Sequence, residues 1–235
     1  MKAFQASGVI VPMLTPFTEG GRSVDEGALR GLSQWLIERG VSGLMPCGTT
    51  GEGLLLSTEE RKRVLELTMA AAQGRVPIMA HVGAISTAET IELARHARDC
   101  GADAVSVVTP FYYGASEALL ATHFCRVAQA VADTPVFLYN IPQCTINNIT
   151  PALARAVLSR CDNVVGIKYS SGNLEALYKF VALRDGQFQV LNGNDAAVPR
   201  ALQLGACGVV SGNANVIPEI VSGVLEAWDE GDEVG

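Results

Sequence analysis

Charge is scarce in this 235-residue chain, where Asp, Glu, Lys and Arg together make up 17% of the residues. Basic residues are the minority, 17 against 24 acidic ones, and the formal net charge is −7 at pH 7. No Lys/Arg-rich block occurs. That balance argues against nucleic acid or an anionic membrane as a partner, but it leaves room for a small anion held by local donors. The six cysteines (Cys47, Cys100, Cys125, Cys144, Cys161 and Cys207) show no C-x-x-C or Cys/His spacing. Reduced thiols and a cytoplasmic setting are therefore expected, rather than a disulfide framework or a zinc site. The first residues lack the charged-then-apolar pattern of a signal segment. Every long apolar stretch is broken by Pro or Gly well short of a membrane span. No linker, low-complexity tract or second domain stands out, so residues 1–235 are expected to form a single domain.

Apolar residues make up 49% of the chain, enough for a large core. Short apolar runs begin near Val9, Gly43, Pro77, Ala104, Pro135, Val164, Gln189 and Gly208, spaced 19 to 34 residues apart. Between them lie amphipathic stretches with helix-start signals. Ser23…Glu26, Ser57…Glu60 and Ser86…Glu89 fit a capping box, and Thr150-Pro151 puts proline at the first helical position. Gly40, Gly101 and Gly205 sit where helices should end before the next strand. Eight strands alternating with eight helices predict a (β/α)8 barrel. An open doubly wound sheet is the alternative, but the dinucleotide-binding glycine turn it normally carries after the first strand is missing. The eighth helix is expected over roughly Pro218–Glu230.

In such a barrel the chemistry sits where strands end. The sixth run, Val164-Val165-Gly166-Ile167-Lys168-Tyr169, stops on an ammonium group. Desolvation favours the neutral form of an amine, and a neutral amine attacks a carbonyl to form an imine. The alternative is a lysine that snorkels to solvent. Tyr139 lies one βα unit earlier at the end of the fifth run, so it should stand beside Lys168 at equal depth, either as an acid–base partner or as core packing. The second run ends in Gly48-Thr49-Thr50-Gly51-Glu52, a turn whose N–H groups and hydroxyls could hold an anion or merely reverse the chain. It is not a phosphate loop, because no lysine follows the second glycine. Tyr112 follows the fourth run. Ser170, Asn192-Gly193-Asn194-Asp195 and Val210-Ser211-Gly212-Asn213 end the last three runs and would suit a polyhydroxy or carboxylate ligand, or equally simple loops.

Taken together, these motifs closely resemble the dihydrodipicolinate synthase/N-acetylneuraminate lyase family. Gly48-Thr49-Thr50-Gly51-Glu52, Tyr139-Asn140-Ile141-Pro142 and Gly166-Ile167-Lys168 stand in the family's order and spacing. The resemblance implies a Schiff-base aldolase in which Lys168 forms an imine with the keto carbon of pyruvate, with no metal or separate cofactor. Thr49 and Thr50 would hold the pyruvate carboxylate. Tyr139 would relay protons, linked through the Thr50 hydroxyl to Tyr112, which in the synthase branch comes from a neighbouring subunit. Gly51, Ser170, Gly193, Asp195 and Val210 complete the implied substrate-binding positions. Pyruvate, an aldehyde and further copies of the chain, as a dimer or tetramer, are the implied partners.

Substrate choice departs from the best-known members. Synthases that condense pyruvate with aspartate semialdehyde usually carry an arginine two residues after the Tyr-Asn-x-Pro proline, and here that position is Cys144. A thiol cannot replace a bidentate carboxylate clamp. Sialic acid lyases usually have an acidic residue where this chain has Ala196. The expected substrate is therefore a smaller hydroxylated 2-keto acid of the 2-keto-3-deoxy sugar acid type, with dihydrodipicolinate synthesis as the alternative. A catalytically silent keto-acid binder and a different barrel enzyme with a structural lysine are the further readings. Family members usually continue past the eighth barrel helix with several more helices; the sequence here stops at Gly235, which is expected either of a partial sequence or of a different assembly.

Overall fold

The computed structural model describes residues 4–231, which build a (β/α)8 barrel. The strands are β1 (Gly8–Pro12), β2 (Gly43–Met45), β3 (Met79–His81), β4 (Ala104–Val108), β5 (Val136–Asn140), β6 (Val164–Tyr169), β7 (Gln189–Asn192) and β8 (Gly208–Val210). Each begins within two residues of its sequence expectation. All pair in parallel in the order β2-β1-β8-β7-β6-β5-β4-β3, and a Leu44–Ile78 bridge closes β2 onto β3. Strands of this kind are covered on both faces, which is why they read as continuous apolar runs rather than alternating ones. One cluster, including Ile10, Met45, Met79, Phe137 and Leu191, fills the barrel. The larger cluster lies between the strands and the surrounding helices.

The helices are α1 (Glu26–Glu38), α2 (Thr58–Ala72), α3 (Thr87–Asp99), α4 (Glu117–Ala130), α5 (Pro142–Thr145), α6 (Pro151–Leu158), α7 (Leu174–Val181), α8 (Val198–Gln203) and α9 (Pro218–Asp229). Ser57 and Glu60 form the full capping box of α2, Ser86 caps α3, and Thr150 caps α6 with Pro151 at its first turn. Such caps contribute about 1 kcal/mol each. The expectation for α1 is corrected. Its cap is Asp25, whose carboxylate accepts the Ala28 N–H at 2.9 Å. Ser23 instead meets the Thr18 hydroxyl, because Phe17 and Val24 bridge across a small loop ahead of the helix. The short helix α5 was not anticipated, since a four-residue element carries no periodicity to read. It follows β5 directly and lies on the catalytic rim. Among the described residues, no helix is long and apolar enough to cross a membrane.

Candidate active site

Tyr139 and Lys168 are register partners across β5 and β6. Both side chains point into the barrel and are buried, at 1% and 3% exposure. The Lys168 Nζ lies 4.0 Å from the centre of the Tyr139 ring and 3.8 Å from the Met45 sulfur. Both are weak partners, and among the described residues no carboxylate pairs with this amine. The nitrogen therefore stands at the barrel mouth without an ion pair that an incoming carbonyl would have to break. Gly166 makes this placement possible. A Cβ there would collide with the Phe137 ring and the Gln189 carbonyl one layer below the lysine.

The turn after β2 approaches from the other side. The Thr49 Oγ1 lies 3.0 Å from the Tyr139 hydroxyl, so either oxygen can donate. This corrects one expected contact, because the hydroxyl that reaches Tyr139 is that of Thr49, not Thr50. Successive side chains of the turn diverge, and Thr50 faces Gly212 after β8. The turn is held from below by the Thr15 hydroxyl, which donates to the Gly51 carbonyl at 2.6 Å. Its closing bonds come from the N–H groups of Glu52 and Gly53. The N–H groups of Thr50 and Gly51 have no partner among the described residues and are available to a carboxylate.

Around Lys168 the rim is polar. Ser170, just past the end of β6 and two residues beyond Lys168, is buried with its hydroxyl unpartnered. Gly193 packs against it, and a Cβ at that position would collide with the Ser170 Oγ and come within 3.4 Å of the Lys168 Cε. These residues border an open cleft of about 770 Å³, whose walls include Gln143, Asp195 and Asn213. The cleft-lining residues include neither Lys nor Arg. Val210 ends β8 and is buried in the barrel core. Cys144 is exposed on α5.

Tyr112 is not brought to this centre within one chain. It is 78% exposed, sits at φ +76, and stacks edge-on with Tyr113 at 4.9 Å. A bulky residue at positive φ is strained, and such strain collects at functional loops.

Sequence reasoning missed His81, although the same signal was available, since β3 also ends on a polar residue. Its ring meets the Tyr139 ring edge-on at 5.7 Å. The Nδ1–H donates to the Cys47 carbonyl at 2.8 Å, which fixes the tautomer and leaves the Nε2 as a buried, unpartnered acceptor. Arg61 lies behind it and donates to the carbonyls of His81 and Gly83, each at 3.0 Å. Burial, then the Arg61 charge, then that of Lys168 hold the imidazole well below its ordinary range, so it stays neutral. Burial also pushes the nearby Cys47 thiol up to about 11, which leaves it unreactive. Among the described residues, no three His, Cys, Asp or Glu side chains converge as a metal site would require.

The chain as a whole has known counterparts. The model of the dihydrodipicolinate synthetase family matches residues 5–234. The 4-hydroxy-tetrahydrodipicolinate synthase of Methanopyrus kandleri is 38% identical over 229 residues, covering 97% of this chain and 76% of that protein. The crystal structure of dihydrodipicolinate synthase from Aquifex aeolicus superposes with a TM-score of 0.92 at 37% identity, over 97% of this chain and 76% of that one. A prophage protein of the dihydrodipicolinic acid synthase family from E. coli K12, in complex with pyruvate, superposes with a TM-score of 0.91 at 36% identity, over 96% of this chain and 76% of that one.

Proposed function

Because the chain belongs to the dihydrodipicolinate synthetase family and is a lyase of its aldolase type, we propose that it joins pyruvate to an aldehyde through an imine on Lys168. The observation that carries this reading is the pairing of Tyr139 with Lys168, with the Thr49 hydroxyl 3.0 Å from the phenol. The amine adds to the keto carbon of pyruvate and water leaves, giving an iminium that draws electrons from the adjacent carbon. Tyr139 takes a methyl proton, the resulting enamine attacks the aldehyde, and water finally hydrolyses the product imine to free the Lys168 amine, so no separate cofactor is needed. Tyr139 moves the proton to the new alkoxide, with Thr49 as its hydrogen-bond partner. The Thr50 and Gly51 N–H groups suit the pyruvate carboxylate.

The relay needs a group beyond Thr49, and the exposure of Tyr112 supports its delivery by a second copy of the chain. Tyr113, which packs against Tyr112, is also exposed at 72% and would be covered in such an assembly.

For the aldehyde, the relatives change the expectation drawn from the residues. The Methanopyrus protein is named for dihydrodipicolinate synthesis, which supports aspartate semialdehyde as the acceptor over a sugar-acid substrate. A second reading rests on the cleft itself. With no cation in its lining and Asp195 on its wall, it suits a neutral, hydroxylated tail better than a second carboxylate. Steady-state kinetics with pyruvate plus aspartate semialdehyde, and cleavage of a 2-keto-3-deoxy sugar acid, distinguish the two. A higher kcat/KM with the semialdehyde supports the first reading, and a higher value with the sugar acid replaces it with the second.

A further inference from the structure

The loop after β5 and the loop that carries Tyr112 are fastened together by one side chain. Asn147 is only 5% exposed, and both ends of its amide are hydrogen-bonded. Its Nδ2 donates to the Pro110 carbonyl at 2.7 Å and to the Tyr113 carbonyl at 2.9 Å. Its Oδ1 accepts the Ala115 N–H at 2.8 Å. All three bonds go to the backbone of residues 110–115, on both sides of Tyr112. They brace the stretch in which that tyrosine is kept at φ +76.

The other end of the strap reaches the substrate cleft. Asn147 follows α5, and the Asn147 N–H donates back to the Thr145 carbonyl at 2.6 Å. The Thr145 hydroxyl lies between the carbonyls of Ile141 and Asn147, at 3.1 and 3.0 Å. Gln143, on the same short helix, donates its side-chain N–H to the Ser170 carbonyl at 3.0 Å. Between Thr145 and Asn147, Ile146 is forced to φ +58, a conformation that β-branched residues avoid. A strained backbone persists only where the bonds around it over-determine it.

We infer that Asn147 is a positioning residue that ties the cleft-lining helix α5 to the Tyr112 loop, so that the two loops of one chain move as a unit. The inference rests on the reading of Tyr112 as part of the proton relay. In an assembly where Tyr112 serves the neighbouring copy, this strap links the acceptor cleft of one subunit to proton transfer in the next.

The test uses pyruvate alone, so it does not depend on the aldehyde. Two rates are measured for the wild type, Tyr112→Phe, Asn147→Ala and the double variant. Borohydride trapping of pyruvate reports imine formation, and deuterium entry into the pyruvate methyl group, followed by NMR in heavy water, reports the relay. Asn147→Ala should leave trapping near wild type and slow methyl exchange by about 10- to 100-fold, the scale set by small misplacement of a catalytic group. In the Tyr112→Phe background it should cost less than about twofold more, because the two changes remove the same function. Full additivity, or a normal exchange rate in Asn147→Ala while Tyr112→Phe is slow, overturns the inference. If Tyr112→Phe exchanges normally, the relay reading of Tyr112 fails first and the inference fails with it. Should Asn147→Ala not fold, Asn147→Ser keeps a small polar side chain, but its single hydroxyl donor cannot make both donated bonds. It should then show intermediate slowing, and wild-type exchange in that variant overturns the inference equally.

Discussion

Replacing Tyr139 by phenylalanine removes a single oxygen from the centre of the site, and the structure separates its two consequences. The ring is buried and its face lies 4.0 Å from the Lys168 Nζ, so a phenyl ring fills the same space and still meets the amine. The lost contact is the 3.0 Å hydrogen bond to the Thr49 Oγ1. Thr49 is exposed, and water can replace the missing partner, so stability should fall by only about 1 kcal/mol. For a chain of this size that is about 2–4 °C in Tm. A positioned acid–base group is worth about 10²- to 10⁴-fold in rate, or roughly 2.7–5.5 kcal/mol of barrier. The catalytic loss should therefore exceed the loss in stability several-fold. Thermal unfolding followed by circular dichroism, methyl exchange of pyruvate and borohydride trapping measure the three quantities. Slow exchange with near-normal trapping and a small drop in Tm is the expected pattern. Exchange within about threefold of wild type would return Tyr139 to a packing role, and parallel loss of trapping would mean that the hydroxyl serves imine formation instead.

Three further outcomes are expected. Cys144→Arg should raise kcat/KM for aspartate semialdehyde about 10-fold or more, since a charge-assisted hydrogen bond contributes roughly 1.5–3 kcal/mol; no gain in steady-state kinetics would mean that the acceptor carboxylate is held elsewhere. His123 is buried with its Nε2 unpartnered, and burial pushes its pKa from 6.5 down to about 4. The fold prefers the neutral ring, so its contribution is complete above pH 6.5 and is lost as pH falls toward 4. About 2 kcal/mol should disappear by pH 5. His123→Gln should flatten that slope in denaturant titrations without abolishing it, because His81 acts with the same sign. Ile146→Gly should relieve the φ +58 strain and raise Tm by about 2–4 °C, equivalent to roughly 1 kcal/mol; an unchanged or lower Tm would show that the loop is relaxed as it stands.

Much of the barrel was legible because its strands are short apolar runs with punctuated ends. The Tyr139–Lys168 pairing followed from strand spacing alone, since one βα unit separates two residues at equal depth. The direction of a side chain within an irregular turn is not periodic, so sequence could not decide which of Thr49 and Thr50 meets Tyr139. The Ser23 cap failed because Asp25, two residues on, competes for the same role and wins once Phe17 and Val24 close their bridge. His81 was readable by the rule that found Lys168, but a lone histidine ending a three-residue strand fits core packing equally well. The Asn147 strap is a contact between two loops, and no local pattern encodes it.

The central claim is that Lys168 carries the chemistry, and the chain makes a direct test possible. It has four lysines, Lys2, Lys62, Lys168 and Lys179. Lys62 is ion-paired with Glu59 and Glu92, and Lys179 with Glu175. Incubation with pyruvate and borohydride, followed by peptide mass spectrometry, should find a single adduct per chain, on Lys168, and none in a folded Lys168→Ala variant. An adduct on any other lysine, or undiminished labelling of Lys168→Ala, would contradict the account.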